Sequence, residues 1–157
     1  MTIRTRIADV TVPFSASPAA TFAYLTDPAN RPSWQASLRR VAAVAVPDGR
    51  RGDAGTSWTD VTAVPLIAPR MEVIDSVPQC YWREIGQWGV VDARLDMEFT
   101  PRDDGGTDVR ACAWLTVPSV LGPALLALRT LTPFALRVDL RAAARHLDVP
   151  GHDGRTR

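Results

Sequence analysis

Two carboxylates have the setting that acid–base chemistry requires. Asp60 lies in Trp58-Thr59-Asp60 and Glu84 in Trp82-Arg83-Glu84, each with a tryptophan two residues away. In an extended segment, residues two apart share a face. If those faces turn inward, each acid enters an apolar setting together with its ring, and Trp88 joins the Glu84 face once strand twist is allowed for. Burial disfavours the charged carboxylate and raises its pKa, which suits a general acid or base near neutral pH. The plainer reading is that a face points outward, leaving a solvated acid beside a surface Trp. Arg70 and Arg83 lie on strand-like segments and are the candidate charge partners. A buried Arg keeps its charge and could hold an enolate or a carboxylate; a surface ion pair is the alternative. Tyr81 and Tyr24 are the only phenols, each able to bond a ligand carbonyl or to pack at a rim.

Other chemistries are excluded by composition. All 18 basic residues are Arg, so there is no Schiff-base amine and no P-loop Lys. The two histidines, His146 and His152, sit near the C-terminus, which removes most His-based metal sites and triads. Cys80 and Cys112 have no ligand spacing. No metal and no cofactor are expected. Net charge is +1, which gives no field to attract nucleic acid or an anionic membrane. Arg51-Gly52-Asp53 is read as part of a Gly-rich loop.

These groups need a scaffold. At 157 residues and 46% hydrophobic, the chain is expected to form a single domain over residues 1–149 with a flexible tail at 150–157. Residues 3–14 read as a strand. Ser17-Pro18 caps a helix, and a second short helix is expected over about 31–38. Strands follow over 41–46, 57–64, 70–77, 81–88, 91–100 and 108–117. Leu95, Met97 and Phe99 oppose Arg94, Asp96 and Glu98 in the clearest alternation. A long helix starts at Ser119, with an apolar stripe of Leu136, Leu140, Ala143 and Leu147. Pro133 is expected to bend or interrupt it, freeing 120–131 as a lid. The fold class is α+β: seven antiparallel strands curled around a C-terminal helix, with a cavity between them walled by Trp58, Trp82, Leu95, Met97 and Phe99, and with Trp88 and Tyr81 as further ligand contacts.

The element order resembles the helix-grip fold of the START/Bet v 1-like (SRPBCC) superfamily, and the wording resembles its bacterial polyketide cyclase/dehydrase branch. The residues that carry this are VPFSASPAATFAYLTDPANRPSW (12–34), GDAGTSW (52–58) and DGGTDVRACAWLTV (104–117). The resemblance spans about residues 3–149. It implies an apolar or polycyclic small molecule in the cavity, with cyclisation or dehydration of an oxygenated substrate as candidate chemistry. In that reading Asp60 or Glu84 is the base, and Arg70, Arg83 or a Tyr partners the oxyanion. The alternative is a non-catalytic carrier or sensor of a hydrophobic ligand, gated by residues 120–136. The N-terminus lacks a signal-peptide core, so the expected location is cytoplasmic. The expected partner is a hydrophobic small molecule, with no nucleic acid, no stable membrane insertion, and a monomer or homodimer.

Overall fold

The computed structural model describes residues 1–148; the tail expected at 150–157 lies outside the described residues. Strand β1 (Thr2–Phe14) leads into helix α1 (Pro18–Thr26), a single 3-10 turn (Pro28–Asn30) and helix α2 (Arg31–Trp34). Strands β2 (Leu38–Ala45), β3 (Ser57–Thr62), β4 (Arg70–Val77), β5 (Tyr81–Trp88), β6 (Val91–Pro101) and β7 (Thr107–Pro118) follow, then helix α3 (Gly122–Asp148). The seven strands form one antiparallel sheet in the order β1-β7-β6-β5-β4-β3-β2. This is the helix-grip architecture that the alternating segments lead one to expect.

Local chemistry sets the early elements. Ser17 Oγ accepts from Ala20 N–H at 3.3 Å and Pro18 occupies the first turn of α1. Asp27 Oδ1 accepts from Ala29 N–H at 2.9 Å and caps the 3-10 turn. Helix α2 is shorter than expected: Gln35 leaves helical geometry, and Leu38, expected to end the helix, begins β2. In β1 the register slips between Arg6 and Ala8, so Ile7 and Ala8 are both buried. That bulge turns Val10, Val12 and Phe14 inward for the rest of the strand.

The concave face carries the core. Leu140 and Ala143 of α3 are fully buried against Val10, Val12, Phe14, Trp58, Val73, Trp82, Met97 and Phe99. Phe22 of α1 meets Phe99 edge-on, with ring centroids 5.0 Å apart. A smaller cluster of Ile7, Val117 and Leu125 ties the start of α3 to β1 and β7. Helix α3 is not interrupted at Pro133. Proline removes the donor that the Arg129 carbonyl would use, but Arg129 is exposed, so water can satisfy that group without breaking the helix.

Gly52 has φ +93°, and a Cβ there would lie 2.4 Å from the Thr26 carbonyl oxygen. Only glycine lets this loop lie against the end of α1. The Gly52 carbonyl in turn accepts from Trp82 Nε1 at 2.8 Å, so the Arg-Gly-Asp tripeptide has a structural role.

Candidate functional site

Trp58 and Asp60 share the inner face of β3, and Trp82 and Glu84 share the inner face of β5. Both acids are therefore buried, each no more than 5% exposed. The cation between them is Arg31, itself buried. Its Nη1 donates to Glu84 Oε2 at 2.8 Å and its Nη2 to Asp60 Oδ2 at 3.1 Å. Trp58 Nε1 donates to the other Asp60 oxygen at 2.7 Å, and the guanidinium carbon lies 5.1 Å from the Trp58 ring centroid. Arg31 is placed by α2, the one-turn helix that the 3-10 turn aims at the sheet. Its Nε is buried without a hydrogen-bond partner among the described residues.

The cluster holds two acids against one cation. Burial pushes Glu84 up, the Asp60 charge adds to that, and Arg31 offsets only part; the carboxyl sits at about 7 instead of 4.5. Burial would lower the Arg31 pKa, but the charges of Glu84 and Asp60 outweigh it and raise it.

A cavity of about 290 Å³ opens beside this cluster on the inner face. It is lined by Asp60, Met71, Gly86, Trp88, Val91 and Ala93 from the sheet, by Gln35, Ser37 and Leu38 after α2, and by Ile67 and Pro69 of the β3–β4 loop. Gly86 and Ala93 are small residues on inward faces otherwise filled by large ones, and this is where space remains. A Cβ at Gly86 would meet Met71 Sδ at 2.7 Å. Trp88 Nε1 donates to the Leu66 carbonyl at 3.1 Å and so pins the loop to the end of β5. A hollow of the same volume on the outer face is lined by Arg4, Asp92, Arg94 and Trp114 among others. It contains no buried carboxylate.

The structure thus brings Asp60 and Glu84 together and leaves Arg70 and Arg83 apart from them. Arg70 is exposed on β4. Arg83 points to the outer face, where its Nε donates to Asp96 at 2.8 Å and its guanidinium lies over Tyr81. Tyr81 is therefore also on the outer face, away from the cavity. Trp58, Trp82, Leu95, Met97 and Phe99 fill the core and do not border the cavity expected between them. Of the expected ligand contacts, Trp88 does border it. Arg31 was not among the sequence candidates. The signal for it was an Arg inside the Pro-rich turn DPANRP, where no periodicity assigns a face.

Residues 5–148 match the family model described as polyketide cyclase/dehydrase and lipid transport. Among solved structures, the chain is similar to the di-domain ARO/CYC protein StfQ of the steffimycin biosynthetic pathway, at 14% identity and a TM-score of 0.71. That match covers 92% of this chain, which spans half of StfQ. A START superfamily protein from Mycobacterium smegmatis superposes with a TM-score of 0.71 at 16% identity, covering 91% of this chain and 99% of that one. Norcoclaurine synthase from Thalictrum flavum gives 0.69 at 10% identity, covering 96% and 97%. No curated protein matches.

Proposed function

The chain belongs to the polyketide cyclase/dehydrase and lipid transport family, and from that premise we propose that it binds a small, largely apolar molecule carrying a hydroxyl or N–H donor in the inner cavity. The observation that carries this is Asp60, among the described residues the one charged side chain on the lining of that cavity. A carboxylate offers about four lone-pair sites. Trp58 and Arg31 use one on each oxygen, so acceptor capacity remains for a ligand. The volume of about 290 Å³ suits a compact fused-ring body, at the small end of ligand sites. Trp88, Ile67, Met71 and Val91 supply apolar walls.

The test is a titration with fused-ring phenols against the same rings without the hydroxyl, read by Trp fluorescence and by Tm. The phenols should quench fluorescence and raise Tm by linkage. Asp60→Asn should weaken phenol binding by about tenfold or more, and Trp88→Phe should remove quenching but keep the Tm rise. Silence across the whole panel would refute the reading.

A second reading, acid–base catalysis of cyclisation or dehydration, has its own observation in the Glu84 carboxyl at about 7. Glu84 does not border the cavity, so Asp60 is the group able to take an acidic C–H proton from between two carbonyls. Glu84 would then set the charge of the cluster. Deuterium exchange at the central methylene of an aromatic 1,3-diketone tests this. Exchange above the buffer rate, lost in Asp60→Asn and with a pH limb near 7 that Glu84→Gln removes, supports catalysis. Exchange at the buffer rate leaves the binder alone.

A further inference from the structure

We infer that two copies of this chain pair antiparallel through the outward face of α3. Leu125, Leu136, Leu140 and Ala143 form the stripe that the helix turns to the sheet. About half a turn away runs a second apolar stripe: Val120, Ala124, Ala127, Leu131, Phe134 and Val138. All six are exposed, Val120 to 80%, Leu131 to 64% and Phe134 to 69%. Val120 sits in the 3-10 turn that leads into α3. A helix that only caps a sheet needs one apolar stripe, with polar residues opposite. Here the opposite face is apolar too, in steps of 4, 3, 4, 3 and 4 residues. That is the a/d rhythm by which one helix seats on another.

Size points to a second copy and fixes its direction. In an antiparallel pair each a position faces a d position. A twofold axis beside residue 129 sets Ala124 against Phe134, Ala127 against Leu131 and Val120 against Val138. Each layer then joins a small side chain to a large one, or two of middle size, which is how facing helices fill the space between them. The stripe is complementary to itself, as a twofold interface requires. A parallel pair would instead set Ala on Ala and Phe on Phe, with voids and crowding in different layers.

Charge selects the same direction. The sequence has no Asp or Glu from 109 to 138. Arg141 and Arg145 continue the line of the stripe, and both are exposed. A parallel pair would hold each against its own copy with no acid between. In the antiparallel pair the two Arg141 residues lie about 36 Å apart, well beyond the screening length at physiological salt. Arg137 flanks the stripe and falls beside the start of the partner helix. Arg129, four residues after Leu125, lies on the core side, and Asp139 is turned to the Ala36 N–H at 3.1 Å. Neither is on the stripe. Residues 120–138 span about 28 Å and a helix is about 10 Å across, so the contact is of transient size and the dimer is weak and concentration-dependent. This pairing goes beyond the cavity reading and does not depend on what the cavity holds.

The test is sedimentation velocity of the full chain over a wide range of concentration. A dimer should appear as concentration rises. Leu131→Glu, next to the twofold axis, should weaken it by about tenfold or more, with the Tm of the dilute protein unchanged. In a Cys80→Ser, Cys112→Ser background, Val120→Cys and Val138→Cys should crosslink when mixed and oxidised. Neither should crosslink alone, because like residues lie about 27 Å apart in the antiparallel pair. A monomer at every concentration overturns the proposal. So does a dimer that Leu131→Glu leaves intact, or a crosslink formed by either variant alone. Co-sedimentation of a monomer with lipid vesicles, lost in Leu131→Glu, also overturns it, because a lipid surface would then cover the stripe.

Discussion

Replacing Glu84 by Gln should make the protein more tolerant of alkaline pH, although it removes a member of a buried ion pair. Ordinarily, removing one partner of such a pair costs about 3–5 kcal/mol, because a buried charge is left alone. Here Arg31 keeps Asp60 as its partner at 3.1 Å, and the group removed is the excess anion. The folded-state pKa of Glu84 is raised from 4.5 to about 7. For a carboxyl raised by folding, the stabilising contribution is fully present below 4.5 and is lost as pH rises through about 7. Each tenfold in proton affinity is worth about 1.4 kcal/mol, so that loss amounts to about 3 kcal/mol. Gln mimics the neutral acid in shape and has no such titration. The unfolding free energy of Glu84→Gln minus that of the parent should therefore grow by about 3 kcal/mol between pH 4.5 and 8. Using the change in this difference cancels any constant offset from the amide. Urea unfolding followed by Trp fluorescence measures it. A difference that stays flat or shrinks with pH would show that Arg31 outweighs the burial of Glu84, and the reasoning would fail.

Arg31→Met, which keeps the length of the side chain, should cost about 3–5 kcal/mol, and the Tm loss should be larger at pH 8 than at pH 5; an equal loss at both would mean that the carboxylates do not feel the cation. Gly52→Ala should destabilise by about 2 kcal/mol or more, since the Cβ meets the Thr26 backbone at 2.4 Å; a chemical-denaturation midpoint equal to that of the parent would contradict the close approach. Pro133→Ala should raise Tm and slow amide exchange over 122–132, because it returns a donor to the Arg129 carbonyl in the middle of a helix, for a gain of up to about 3 kcal/mol. A lower Tm would mean that the proline is needed to seat α3.

Much of the architecture was readable because alternation is a strong local signal. Strands β4 and β5 have the bounds that the pattern gives, and β6 and β7 differ by a residue or so at their ends. The short elements between Pro28 and Leu38 were harder. Two turns of helix and a strand start are packed into eleven residues there, and tertiary contacts decide where each stops. The cavity was misplaced for a different reason. Large aromatics on an inward face suggest walls, but Trp58, Trp82 and Phe99 are large enough to fill the gap under α3 themselves. Space survives where the inward positions are Gly86 and Ala93, so small residues on a face lined with large ones are the better marker.

The charge partner shows how far strand parity alone could have gone. Once Trp82 and Glu84 turn inward together, Arg83 between them must turn outward, and it pairs there with Asp96. Met71 and Val73 turn inward, which sends Arg70 outward by the same rule. Both candidate cations were thus excluded by the argument that placed the acids inside. Two carboxylates buried on the inner faces of β3 and β5 call for a cation if both are to be charged. With no Lys in the chain, an Arg arriving from outside β3, β4 and β5 is the candidate for that cation. The Pro-flanked turn before Trp34 supplies one, Arg31, aimed at the sheet by a helix one turn long. The cluster therefore ties the helical hairpin to the sheet and places Asp60 at the edge of the cavity. The same contacts bind α2 to the sheet and set the polar end of the cavity, so a change at Arg31 should alter stability and ligand preference together.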